Sequence, residues 1–123
     1  MADRTTAALR RALDAASLQQ RVVANNIANL ETPGYVARRV DFQDTLRAAL
    51  QADRDGDETA LEQVAPLVTR DPSPPASPGG NNVDIEREMT LLGEAGLRYE
   101  ALTRLLRRKF EMLGTAIGDG RRA

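Results

Sequence analysis

The sequence predicts a mainly α-helical chain, and three observations carry that expectation. Its 123 residues contain only four aromatics and no Trp, so a core has to be built from Leu, Val, Ile, Met and Ala, which suits helix-on-helix packing. Two long stretches, Asp3 to Leu30 and Val83 to Ile117, place apolar residues at alternating steps of four and three, the spacing of a helical seam. Polar, Pro-containing material separates them. The plan is therefore helix, middle, helix, divided at 1–30, 31–50, 51–80 and 81–123.

The N-terminal helix carries Leu9, Leu13, Ala16, Gln20, Val23, Ile27 and Leu30 along one seam, broken only by Gln20. Asn25, Asn26 and Asn29 near its end compete for backbone hydrogen bonds and terminate it. Thr32-Pro33-Gly34-Tyr35 fits a type II turn, with Pro fixing φ at the second position and Gly supplying positive φ at the third. Tyr35 to Phe42 then reads as extended, with Val36, Val40 and Phe42 on one side. Asp41 is placed to cap a short helix carrying Phe42, Leu46, Ala49 and Leu50.

Residues 51–80 begin with the charged run Asp53 to Glu58 and end with Pro72, Pro74, Pro75 and Pro78 before Gly79-Gly80. That composition forbids a regular helix or central strand over the Pro run and predicts a flexible, solvated linker, with a helical turn near Ala60 to Val64. The C-terminal helix follows, capped by Asn82 or Asp84. Its seam runs Ile85, Met89, Leu92, Gly96, Tyr99, Thr103, Leu106, Phe110, Leu113 and Ile117, while Leu91, Leu102, Leu105 and Met112 widen the apolar surface beside it. Two apolar edges on one helix imply more than one helical neighbour. Five acids against two bases over 84–100, then four bases against one acid over 101–117, complement the helix dipole at both ends.

Composition also removes function classes. With no His and no Cys, the usual transition-metal sites, Cys nucleophiles and Ser-His arrangements are unavailable, so no catalytic residue, metal or cofactor, and no small-molecule substrate, is expected. A net charge of −1 argues against a general nucleic-acid binder. Arg107, Arg108 and Lys109 point in different directions around a helix and do not form a basic stripe. Arg10, Arg11 and Asp14 interrupt what would be the apolar stretch of a secretory signal.

Two motifs are more specific. Asn25-Asn26-Ile27-Ala28-Asn29 followed by Thr32-Pro33-Gly34-Tyr35 resembles the N-terminal signature of bacterial flagellar rod, hook and hook-associated axial proteins. Asn82-Val83-Asp84-Ile85-Glu86-Arg87-Glu88-Met89, then Leu97-Arg98-Tyr99-Glu100-Ala101-Leu102 and a final amphipathic run, resembles their C-terminal region. The pair spans about two thirds of the chain, and its shortness, turn and Asp41-Phe42 pair are most similar to the small subunits of the basal-body rod. Val36 departs from the basic residue expected after the turn, and the Pro-rich stretch is peculiar to this chain.

The resemblance implies a structural rod subunit whose N- and C-terminal helices pair as a coiled coil lining an axial tube. It implies export by the flagellar type III system without a cleaved signal peptide, to a rod within the periplasmic space. The implied partners are copies of itself, other rod proteins, and inner-membrane ring and export-gate components. Leu9, Leu13, Val23 and Ile27 would pack against Met89, Leu92, Tyr99, Leu106, Phe110, Leu113 and Ile117 within and between subunits. Asn25, Asn26, Asn29, Pro33, Gly34 and Tyr35 would fix the helix exit and contact the next subunit. A coiled-coil adaptor unrelated to flagella shares the heptads but needs neither motif.

Overall fold

The computed structural model describes residues 4–122, so the first three positions of the expected 1–30 helix and the last of 81–123 lie outside the described residues. In chain order the elements are α1 (Arg4–Ala28), β1 (Arg38–Val40), α2 (Phe42–Asp55), α3 (Glu58–Gln63), β2 (Val68–Arg70) and α4 (Ile85–Arg122). The chain is mainly helical, with long terminal helices that pack together. Side chains of Asn26 and Glu88 meet, as do those of Gln19 and Arg98 and of Arg10 and Phe110, so α1 and α4 run antiparallel.

α1 is the central element, on which α4, α2, β1 and α3 all pack. Its deepest line is Ala8, Ala12, Ala15, Gln19, Val22 and Asn26, again at steps of four and three but one residue away from the Leu9-Leu13 seam. Small alanines let two layers approach one helix closely. Ala12, Ala15 and Ala16 pack with Phe42 of α2 and Leu102 of α4, with Leu9, Leu13 and Leu46 around them. A second cluster joins Ala8 to Ala49, Ala52 and Leu61.

Local chemistry explains the ends of the short helices. The Asp41 carboxylate accepts from the Asp44 N–H at 3.0 Å and starts α2, as the sequence suggests. Gly56, at φ 66°, closes it: the Gly56 N–H donates to Asp53 O and the Asp57 N–H to Ala52 O, the paired bonds of a Schellman ending. Asp57 then caps α3 through the Ala60 N–H at 3.0 Å.

The stretch 51–80 differs from its expectation in structure. α2 continues to Asp55 because Ala49 and Ala52 rest on α1. α3 occupies Glu58–Gln63, and β2 pairs antiparallel with β1, Arg38 opposite Arg70 and Val40 opposite Val68. Irregular chain is left at 64–67, which holds Pro66, and from 71 onward, where Pro72, Pro74, Pro75 and Pro78 lie. The extended segment also differs, since Val40 and Phe42 are buried while Val36 is exposed and Ala37 takes the inward position.

Candidate functional site: the junction of the two terminal motifs

Antiparallel packing brings the end of α1 against the start of α4, and with it the two sequence motifs. Asn26 is fully buried between them. Its Oδ1 accepts from the Arg38 N–H at 3.0 Å and the Tyr35 hydroxyl at 3.2 Å, while its Nδ2 donates to Arg38 O at 2.9 Å and Glu88 Oε2 at 3.0 Å. Every hydrogen-bonding position of the amide is used. The side chain behaves as a strand partner for Arg38, so the chain leaves the turn already aligned for β1.

Glu88, also fully buried, receives Arg39 in a fork: Nη2 to Oε1 at 2.6 Å and Nη1 to Oε2 at 3.0 Å. Such bidentate pairs are both strong and directional. Arg39 Nε reaches Asp71 Oδ2 at 3.0 Å, and Arg87 Nη1 reaches the same oxygen at 3.0 Å. Burial of Asp71 acts to raise its carboxyl pKa, but the Ser73 N–H and the two guanidiniums outweigh burial and hold it below the ordinary value. For Arg39, burial is likewise overcome by Glu88 and Asp71, and its pKa lies above the ordinary value.

Two asparagines of the C-terminal motif complete the junction. Asn82 accepts from the Ala37 N–H at 2.7 Å and donates to Asp71 O and Ser73 O. Asn81 Nδ2 donates to the carbonyls of Asn29, Leu30 and Thr32, and so ties the start of the C-terminal motif to the turn that follows α1. The α4 cap is Asp84, whose Oδ1 accepts from the Glu86 N–H at 3.1 Å.

Of the motif residues singled out in the sequence, the structure thus gathers Asn26 and Tyr35 into the junction. Asn29 donates to Asn25 O and accepts from the Thr32 hydroxyl. Gly34 has φ 73° and the Tyr35 N–H donates to Thr32 O, the geometry of a type II turn. Asn25, Pro33 and Gly34 are exposed.

The seam residues divide. Val23 and Leu106 are buried, and Leu9, Leu13, Ile27, Leu92 and Leu113 are half-buried. Met89, Tyr99, Phe110 and Ile117 are 55%, 39%, 45% and 58% exposed. The buried line of α4 is Glu88, Ala95 and Leu102, one residue from that seam, together with the seam's own Leu106. Sequence reasoning passed over Arg39, Asp71 and Glu88. The spacing of seven from Glu88 to Ala95 and again to Leu102 is the signal that could have placed Glu88 inward, whereas nothing local marks Asp71.

Comparison with known proteins identifies the family. A family model described as flagella basal body rod protein matches residues 8–35, the span from the inward face of α1 through the turn. The protein FlgB of Bacillus subtilis, a flagellar basal body rod protein, is 34% identical over 120 residues, covering 92% of each chain. Its counterpart in Escherichia coli is 36% identical over 118 residues, covering 81% of this chain and 85% of the relative. The more distant FlgB of Borreliella burgdorferi is 25% identical over 87% of this chain and 90% of its own. The chain belongs to the flagellar basal-body rod protein family, and is a structural subunit of the bacterial flagellum. Within that family its similarity is to FlgB, across nearly the whole length of both chains.

Proposed function

We propose that this rod subunit assembles helically through its terminal helices into the proximal part of the axial drive shaft and export channel. α1 and α4 form a coiled coil along the tube, in contact with copies of this chain and with other rod proteins. The subunit reaches a rod within the periplasmic space by flagellar type III export and adjoins inner-membrane ring and export-gate components.

The observation that carries the reading is the exposed apolar edge of α4. Met89, Tyr99, Phe110 and Ile117 lie beside the α1 contact and remain open to solvent, although they continue the heptad seam. An apolar stripe of that length on a small protein marks an interaction surface. Head-to-tail contacts between different surfaces of identical copies generate open helical arrays. The exposed Asn25, Pro33 and Gly34 add a contact to the next subunit, while Asn26, Asn29 and Tyr35 hold the exit of α1 in place.

Met89→Asp and Phe110→Asp test this, because both positions are exposed and neither lines the core. The purified variants are expected to keep their helix content, whereas cells carrying either are expected to lack complete rods and to be non-motile. Motile cells with normal rods would sink the reading.

A further inference from the structure

Beside the polar junction and the apolar edge, the molecule carries a third feature that neither accounts for. α2 and α3 enclose a groove of about 450 Å³ whose lining includes Ala48, Ala60, Val64, Ala65 and Leu67, with Asp44 at its rim. Leu67 is 68% exposed there. The charged residues of its lining are both acidic, Asp41 and Asp44. The Asp41 carboxylate, by hydrogen bonding and by charge, pushes the neighbouring Asp44 carboxyl above its ordinary pKa. Asp44 has a partner in Arg47 at 2.9 Å, but both side chains are more than two-thirds exposed, so that pair is weak and exchangeable.

The opposite pattern appears on the distal half of α4. From 101 to 117 there are four basic residues and one acid. Leu105, Arg108 and Met112 recur at three and four residues, so they share one face. Leu105 and Met112 are 50% and 67% exposed. A basic side chain flanked by two exposed apolar ones matches an apolar groove with an acidic rim in both chemistry and sign.

We propose that the α2–α3 groove receives the distal half of α4 from a second copy of this chain, with Leu105 and Met112 seated in the groove and Arg108 facing Asp44. The contact rests on the self-assembly proposed above and adds to it a specific pair of surfaces. Because groove and helix face are different parts of the molecule, the contact is heterologous and propagates rather than closing on a pair. Within one copy this contact is not made, since Leu105 and Met112 there stand 50% and 67% exposed.

The chain has no Cys, so an Ala48→Cys, Met112→Cys double variant reports on the contact cleanly. In purified basal bodies treated with mild oxidant, non-reducing electrophoresis is expected to show a ladder of cross-linked copies that collapses on reduction. Either single variant is expected to give no ladder. A double variant that incorporates at the wild-type level and yields no ladder would overturn the pairing while leaving rod assembly intact.

Should the double variant fail to incorporate, charge exchange decides. Arg108→Glu is expected to lower incorporation by about tenfold, and adding Asp44→Lys to restore it to within about twofold of wild type. Failure of Asp44→Lys to restore incorporation would overturn the proposal. Absence of the wild-type chain from basal bodies would count against the assembly reading itself.

Discussion

The two ends of the α1–α4 pair are built on opposite terms. Where α1 ends and α4 begins, Asn26, Arg39, Asp71 and Glu88 are locked by charge-assisted hydrogen bonds, with Asn26 and Glu88 fully buried. At the other end Leu105, Phe110, Met112 and Ile117 stand exposed along α4 among arginines. A buried polar network tolerates no loose partner, because each unpaired group costs its full desolvation. One end therefore specifies how the chain folds on itself, and the exposed end is where apolar surface is left for other molecules.

The largest expected effect is at the junction. Glu88→Ala strips the Arg39 fork and the Asn26 donor of their acceptor, and breaking a buried pair of this kind costs about 3 to 5 kcal/mol, a large share of the ~5 to 15 kcal/mol that holds a domain together. Chemical denaturation followed by circular dichroism is expected to show that loss. A change of less than about 0.5 kcal/mol, the scale of an ordinary surface substitution, would mean the network is ornamental.

Acid sharpens the contrast further. The folded-state pKa of Asp71 lies below its ordinary value, so its contribution to stability is fully present above the unfolded carboxylate pKa of about 3.9. That contribution is lost as pH falls through the folded value. The wild type is therefore expected to lose stability more steeply below about pH 4 than Asp71→Asn does. Parallel curves for the two proteins would remove Asp71 from the account.

The smallest effect is expected at the open end. Met112→Ala removes a side chain that is 67% exposed, so the stability of the isolated chain should change by less than about 0.5 kcal/mol. A loss of 2 kcal/mol or more in the same denaturation experiment, the scale of a buried large-to-small change, would place Met112 in the fold rather than outside it.

Much of this architecture was legible from residue types and spacing. The two long helices, the Thr32 to Tyr35 turn and the Asp41 cap each follow from a local rule, and local rules can be read without knowing the rest of the fold. The α1–α4 face could not be read so directly. Leu9, Leu13, Met89 and Phe110 fall on seams that the four-and-three spacing picks out, yet the deepest line of α1 is the neighbouring one of Ala8, Ala12 and Ala15, whose small size permits close approach.

The junction was half visible. Asn26 and Tyr35 belong to a recognisable motif, but their partners come from far along the chain: Glu88 is 62 residues from Asn26, and Asp71 is 32 from Arg39. Asp71 precedes a run of prolines whose composition reads as solvated chain. It is held in the junction by its N–H donating to Ala37 O at 2.8 Å, by Asn82 at its carbonyl and by Arg39 and Arg87 at its carboxylate. No property of the neighbouring sequence announces such a contact.

Electron cryomicroscopy of purified basal bodies tests the central claim most directly, by showing what each end of the helix pair touches in the assembled rod. The account expects subunits in which Asn26 and Glu88 still meet within one chain, while Met89, Tyr99, Phe110 and Ile117 are buried against neighbouring subunits. Rod density in which that edge of α4 faces open solvent, or in which Glu88 pairs across a subunit boundary, would contradict it.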